Sequence, residues 1–265
     1  MRIVCATAMN TWARSNMKKF DSLVILGDSW SWGSELPEDI RVASRFDALL
    51  GEQLKLECIN LSRESASNFC LKWHWLDWLL TTPVYKNPLV IVGITGPNRQ
   101  LIYNNRAEFF QEGGGGRLVS EDVVLSNWGN SQEVGGFIRA FPNYIDNPTP
   151  IKTKCQENFY RYNYNDTMAE IYSIWEINHL NSLIKSAGGQ AIFWSNFHLY
   201  NQVSLPWCQL LLNSVNLVDS LHPISSSLRS KKNHVCPGGH PNIAGHKYIQ
   251  NILLQHLIDH EIVRQ

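Results

Sequence analysis

The sequence predicts an α/β protein, a three-layer α/β/α sandwich with a central parallel sheet. Short aliphatic runs alternate with stretches of helical periodicity along most of the chain. One run, Leu89–Ile94, is apolar without a break, as a strand buried on both faces requires. Another, Leu23-Val24-Ile25-Leu26, ends in Gly27-Asp28-Ser29, where a strand breaks into a tight turn. Open α/β sheets bind their ligands at that carboxyl end of the strands, so the hydroxyl of Ser29 stands where chemistry is done.

The elements follow in order. Leu23–Leu26 is the first strand, and Arg41–Leu54 repeats Val42, Phe46, Leu49 and Leu50 at helical spacing. Leu56–Asn60 is the second strand. Phe69–Leu80 is a helix with Trp73, Leu76, Leu79 and Leu80 on one face, and Leu89–Ile94 is the third strand. Met168–Ala187 is the longest helix, stopped by Gly188-Gly189. Ala191–Trp194 and Val215–Val218 supply a fourth and a fifth strand. Ile243–Ile258 closes the chain as a helix, with Pro241 suited to its first turn and Asn242 to its cap. From about Asn98 to Asn158 the rhythm breaks into an irregular insertion rich in Gly, Asn, Pro and aromatics. So long a segment is expected to be a specificity surface or a protein-partner contact within a single domain spanning 1–265. Its Gly113–Gly116 run is followed by Arg117 and lacks the Gly-Lys-Ser/Thr of a phosphate cradle.

Composition narrows the function. Lys+Arg and Asp+Glu both number 23, so no net field favours nucleic acid or an anionic membrane surface. Apolar residues at 44% against 17% charged allow a large core. There is no run of apolar residues long enough to cross a bilayer, and the first residues make a poor signal peptide. A cytoplasmic or virion-associated setting is expected. The six cysteines, Cys5, Cys58, Cys70, Cys155, Cys208 and Cys236, form no Cys-x-x-Cys pair and read mostly as reduced core residues, with two or three bridges left open.

A serine hydroxyl attacks an ester only if a base takes its proton and donors hold the oxyanion. Ser29 supplies the hydroxyl and one backbone donor; the competing reading is an ordinary Asx-type turn at Asp28-Ser29. His240, just ahead of the closing helix, is the candidate base, since an unperturbed histidine titrates near neutrality. His246, inside the helix, reads as structural. His234, Cys236, His240 and His246 together match no common zinc spacing, so neither a metal nor another cofactor is expected. Trp30 and Trp32 flank Ser29 and either stack on a sugar or pack in the core.

The Gly27-Asp28-Ser29 turn and the His240-Pro241 pair resemble the first and last blocks of the GDSL/SGNH hydrolases, and the likeness spans about residues 20–258. The resemblance implies the SGNH-hydrolase, flavodoxin-like sandwich and serine-esterase chemistry. It also implies oxyanion donors after the second and third strands. In the second block, within Asn60–Asn68, Ser65 takes the place of the family's glycine and offers its backbone N–H. In the third, Gly-x-Asn becomes Gly93-Ile94-Thr95, where Thr95 either donates its hydroxyl or is a turn residue. The family's acid precedes the histidine by three residues, and here that place is Pro237. Three outcomes are open: a backbone carbonyl near Cys236 or Pro237 orients His240, an acid from elsewhere such as Asp219 substitutes, or the site is impaired. The variant blocks also resemble divergent SGNH-type proteins of tailed bacteriophages.

Two functions therefore compete. One is an esterase cleaving an acyl ester, of a small molecule or an O-acetylated carbohydrate, through a Ser29–His240 dyad or incomplete triad. The other is a catalytically weakened fold serving as a structural or binding module, for example in a virion.

Overall fold

The aliphatic run before Gly27 forms strand β1 (Ser22–Leu26), buried along its whole length, in a computed structural model of the chain. That structure describes residues 20–64, 66–82, 86–97, 100–103, 133–134, 137–140, 165–195, 206–218 and 224–263. After β1 come the one-turn helix α1 (Ser29–Trp32), α2 (Glu38–Ser44), α3 (Phe46–Leu54), β2 (Glu57–Asn60), α4 (Asn68–Thr81) and β3 (Pro88–Ile94). Strands β4 (Gln100–Tyr103), β5 (Glu133–Val134) and β6 (Phe137–Ala140) follow. The last part holds α5 (Asp166–Ser186), β7 (Gln190–Ser195), α6 (Pro206–Asn213), β8 (Leu217–Val218), α7 (Ile224–Arg229) and α8 (Ile243–Asp259).

Five strands make one sheet in the order β2-β1-β3-β7-β8, every neighbouring pair parallel. Alternate side chains fall on opposite faces, as the two-residue strand period demands. Val24, Leu26, Val90, Val92 and Ile94 pack on one side with Trp75 of α4 and Ile174, Ile177 and Ile184 of α5. Leu23, Ile25, Leu89 and Ile91 pack on the other with Phe46 and Leu50 of α3 and Ile249, Leu253 and Leu257 of α8. Two helical layers thus cover a sheet buried on both faces, the three-layer α/β/α architecture the sequence predicts. From β1 the chain steps outward to β2, whereas from β3 it proceeds the other way through β7 to β8. The direction reverses between β1 and β3, and a crevice opens beyond their carboxyl ends at such a switch point. Ser29 follows one of those strands and Thr95 the other.

Three expectations need correction. The single helix predicted over Arg41–Leu54 is two helices, because Arg45 is extended (φ −71°, ψ 151°) between them. The break places the Arg45 guanidinium on Asp47 in a bidentate ion pair, both bonds 3.0 Å, inside the core. Pro241 stands ahead of the closing helix rather than in its first turn, since Asn242 is the cap and accepts from the Gly245 amide at 3.0 Å. The stretch expected to be irregular carries paired backbone: β4, β6 and β5 form a three-stranded antiparallel sheet. The rest of that stretch lies outside the described residues. Cys58, Cys70, Cys208 and Cys236 are free thiols, while Cys5 and Cys155 lie outside the described residues.

Candidate active site

The turn that carries Ser29 is built from residue-level necessities. Asp28, extended at φ −99°, caps α1 by accepting the Trp30 amide at 3.0 Å. Gly27 has no alternative residue: a Cβ there would lie 2.3 Å from Ser31 Oγ and 2.7 Å from Ser31 Cβ. Gly33 (φ 80°) ends the turn in the left-handed region. Asn60, at the end of β2, donates to the Ser31 carbonyl and to Asp47, both at 2.9 Å, and accepts the Ser62 amide at 2.9 Å. One half-buried carboxamide thus ties the Ser29 turn to the loop after the second strand. Ser29 itself is 8% exposed.

His240 is brought opposite by a tight turn. Cys236 donates to the His240 carbonyl at 2.8 Å, Gly239 donates to the Cys236 carbonyl at 2.9 Å, and Val235 bridges to Pro241. Behind it, α8 approaches so closely that a Cβ on Gly245 would meet the His234 carbonyl at 2.2 Å. The result is a 3.0 Å contact between His240 Nε2 and Ser29 Oγ. These two residues, some 211 positions apart in sequence, are in hydrogen-bond contact.

The carboxylate comes from a residue the sequence reading does not single out. Glu35, six positions after Ser29, takes a hydrogen bond from His240 Nδ1 at 2.7 Å. Its oxygens also accept the Gly238 amide at 2.8 Å and the His240 amide at 3.1 Å. Partial burial pulls the Glu35 carboxyl upward, but the hydrogen bonds from the His240 ring and from both amides, with the attraction of His240, together hold it below its ordinary value. An ionised Glu35 accepts only, so Nδ1 carries the ring proton and Nε2 is left to accept from the Ser29 hydroxyl. The polarity Ser29 to His240 to Glu35 is that of a nucleophile, a base and an orienting acid. The carboxylate at His240 Nδ1 is thus Glu35, from a loop far from Pro237 in sequence. A sequence signal was present. Gly238-Gly239 before His240 leaves room for a carboxylate, and a Cβ on Gly238 would lie 2.5 Å from Glu35 Oε1.

The remaining expected residues divide. Thr95 is buried at 1% exposure and directly follows the end of β3. Trp30 is core: at 2% exposure it packs with Ile25, Phe46, Ile91 and Trp194, so the sugar-stacking alternative is corrected to packing. Trp32 is half-buried, with the guanidinium carbons of Arg41 and Arg63 at 5.8 and 5.6 Å from its ring centre. His246 is fully buried, stacks on Phe46 and accepts the Phe46 amide at 3.4 Å; burial first, then Arg45 and His240, push its pKa down to about 3. His234 stands edge-on to Tyr248. Ser65 and Asp219 lie outside the described residues.

A scan against protein-family models finds no match, and neither does a search of curated proteins. Solved structures do align. An esterase, EstA from Pseudoalteromonas sp., aligns at 12% identity and TM-score 0.48, over 90% of this chain and 97% of its own. An acetylxylan esterase from Geobacillus stearothermophilus aligns at 10% identity and TM-score 0.45, over 89% and 94%. A lipolytic protein of the G-D-S-L family from Veillonella parvula aligns at 9% identity and TM-score 0.45, over 88% and 96%. At such scores these are likenesses only, and the architecture stated above rests on the chain's own strand order.

Proposed function

We propose that this protein is a serine hydrolase of GDSL/SGNH type that cleaves an acyl ester through Ser29, His240 and Glu35. The observation that carries the reading is the unbroken chain of hydrogen bonds from Ser29 Oγ to His240 Nε2 at 3.0 Å and from His240 Nδ1 to Glu35 at 2.7 Å. Ser29 Oγ attacks the acyl carbon as His240 Nε2 takes its proton, and the charge that develops on the imidazole is met by Glu35. The backbone N–H groups of Ser29 and Ser65 and the hydroxyl of Thr95 are the proposed donors to the oxyanion. Collapse of the tetrahedral intermediate expels the alcohol, which takes the proton from His240, and leaves the acyl group on Ser29. Water, deprotonated by the same imidazole, then releases the acid.

An O-acetylated carbohydrate is the proposed substrate class, with Trp32 as the aromatic surface beside the nucleophile; Trp30 takes no part in it. The chemistry needs no cofactor. The rival reading, a weakened binding module, draws on the long aromatic insertion, the neutral net charge and Pro237 in place of an acid, and Glu35 beside His240 weighs against the last of these. Hydrolysis of p-nitrophenyl acetate tests the proposal: turnover that vanishes in Ser29→Ala and His240→Ala supports it, and equal slow hydrolysis by all three proteins rejects it.

A further inference from the structure

We infer that Asn68 is a positioning residue for this reaction, fixing Thr95 at the crevice by gripping its backbone from both sides; the inference rests on the esterase reading. The need for such a grip follows from the sheet. Strand β1 turns away at Gly27, so its ladder with β3 ends at the pair Leu26 and Val92. On the other side the β3–β7 ladder ends at Ile94 and Ser195. Thr95 therefore emerges beyond both ladders, at the position where the proposed mechanism requires a donor held still.

The carboxamide of Asn68, the first residue of α4, supplies what a neighbouring strand would. Its Oδ1 accepts the Thr95 amide at 2.8 Å, and its Nδ2 donates to the Thr95 carbonyl at 2.9 Å. The other Nδ2 proton goes to Ser173 Oγ on α5, at 2.6 Å. All three contacts are buried, with Asn68 at 5%, Thr95 at 1% and Ser173 at 5% exposure. Turning the amide over would set its NH₂ against the Thr95 N–H and its oxygen against the Thr95 carbonyl, so the side chain has one orientation. Serine is too short for this double contact, and an ionised aspartate can accept but cannot donate. Oxyanion stabilisation depends on donors placed before charge develops, so a residue that never touches substrate still acts on the turnover rate.

The test compares the wild type with Asn68→Ala and Asn68→Asp on p-nitrophenyl acetate, with melting temperatures taken at each pH. Both variants are expected to lose kcat about tenfold or more near neutral pH while KM stays within about twofold. A protonated aspartate regains the donor, so the ratio of N68D to wild-type kcat should climb as the pH falls from about 8 to about 5.5. Backbone hydrogen exchange at Thr95, slow in the wild type, should quicken about tenfold or more in N68A. A kcat within about twofold of wild type in both variants, or a pH-independent ratio, overturns the inference. If the wild type proves inert, the esterase reading falls, and exchange at Thr95 still decides whether Asn68 holds it. If N68A does not fold, the N68D ratio decides.

Discussion

Glu35 and Gly238 occupy adjoining space that only a glycine leaves open: the amide of Gly238 donates to Glu35 Oε1 at 2.8 Å, and a Cβ on Gly238 would stand 2.5 Å from that oxygen. The clash falls on the far end of a flexible side chain, so the fold can give way while the hydrogen-bond chain cannot. Gly238→Ala is therefore expected to melt within a few degrees of wild type yet lose about tenfold to a hundredfold in kcat. Thermal unfolding and ester hydrolysis on the same preparation check both halves. Unchanged kcat would mean that Glu35 does not orient His240.

Glu35→Gln keeps an acceptor for His240 Nδ1 but removes the charge that meets the imidazolium. Turnover is expected to fall about 10²- to 10⁴-fold, with substrate affinity nearly unchanged. A steady-state comparison of kcat and KM reads this directly, and a loss confined to KM would argue that Glu35 contacts substrate instead.

The two tryptophans beside Ser29 should behave as opposites. Trp30, buried among Ile25, Phe46 and Trp194, is expected to cost about 3–5 kcal/mol when cut to alanine. Trp32→Ala should leave the fold intact and raise KM for an O-acetylated sugar. Chemical denaturation and substrate kinetics separate the two, and equal destabilisation by both would return Trp32 to the core.

Stability should fall as the solution is acidified from neutral pH. His246 stays neutral in the fold down to about 3, and His256 down to about 4, the latter lowered by burial first and by His260 next. The unfolded chain takes up those protons near the ordinary value of 6.5, so it binds more protons than the fold throughout that window. Glu35 adds to the loss below the ordinary 4.5, because its depressed carboxyl stays ionised in the fold. The melting temperature should drop steadily between pH 7 and pH 4, and less steeply in His246→Gln. A slope unchanged by that substitution would place the acid sensitivity elsewhere.

The parts of this molecule that were legible in the sequence are local ones. β1 and its Gly-Asp-Ser turn, the unbroken apolar β3 and the cap ahead of α8 each declare themselves within a few residues, by periodicity or turn chemistry. Ser29 and His240 could be paired because each lies beside such a signal. Glu35 lies beside none: it sits in the left-handed region (φ 68°) in the loop after α1, and its role exists only once residues 238–240 arrive opposite. Asn68 was likewise hidden, since its partners are the backbone of Thr95 and the hydroxyl of Ser173, brought together by the sheet and α5. The break at Arg45 escaped because apolar spacing continues through it, and an ion pair with Asp47 overrides that spacing.

Reaction of Ser29 with a fluorophosphonate probe, read by intact mass and peptide mapping, tests the central claim most directly. Only a serine with a base and an oxyanion hole already assembled reacts readily with such a probe. The hydrogen-bond chain through His240 to Glu35 predicts a single adduct on Ser29, abolished by His240→Ala and slowed by Glu35→Gln. Inertness of the folded protein from about pH 6 to about pH 9, or an adduct that persists in His240→Ala, would contradict it.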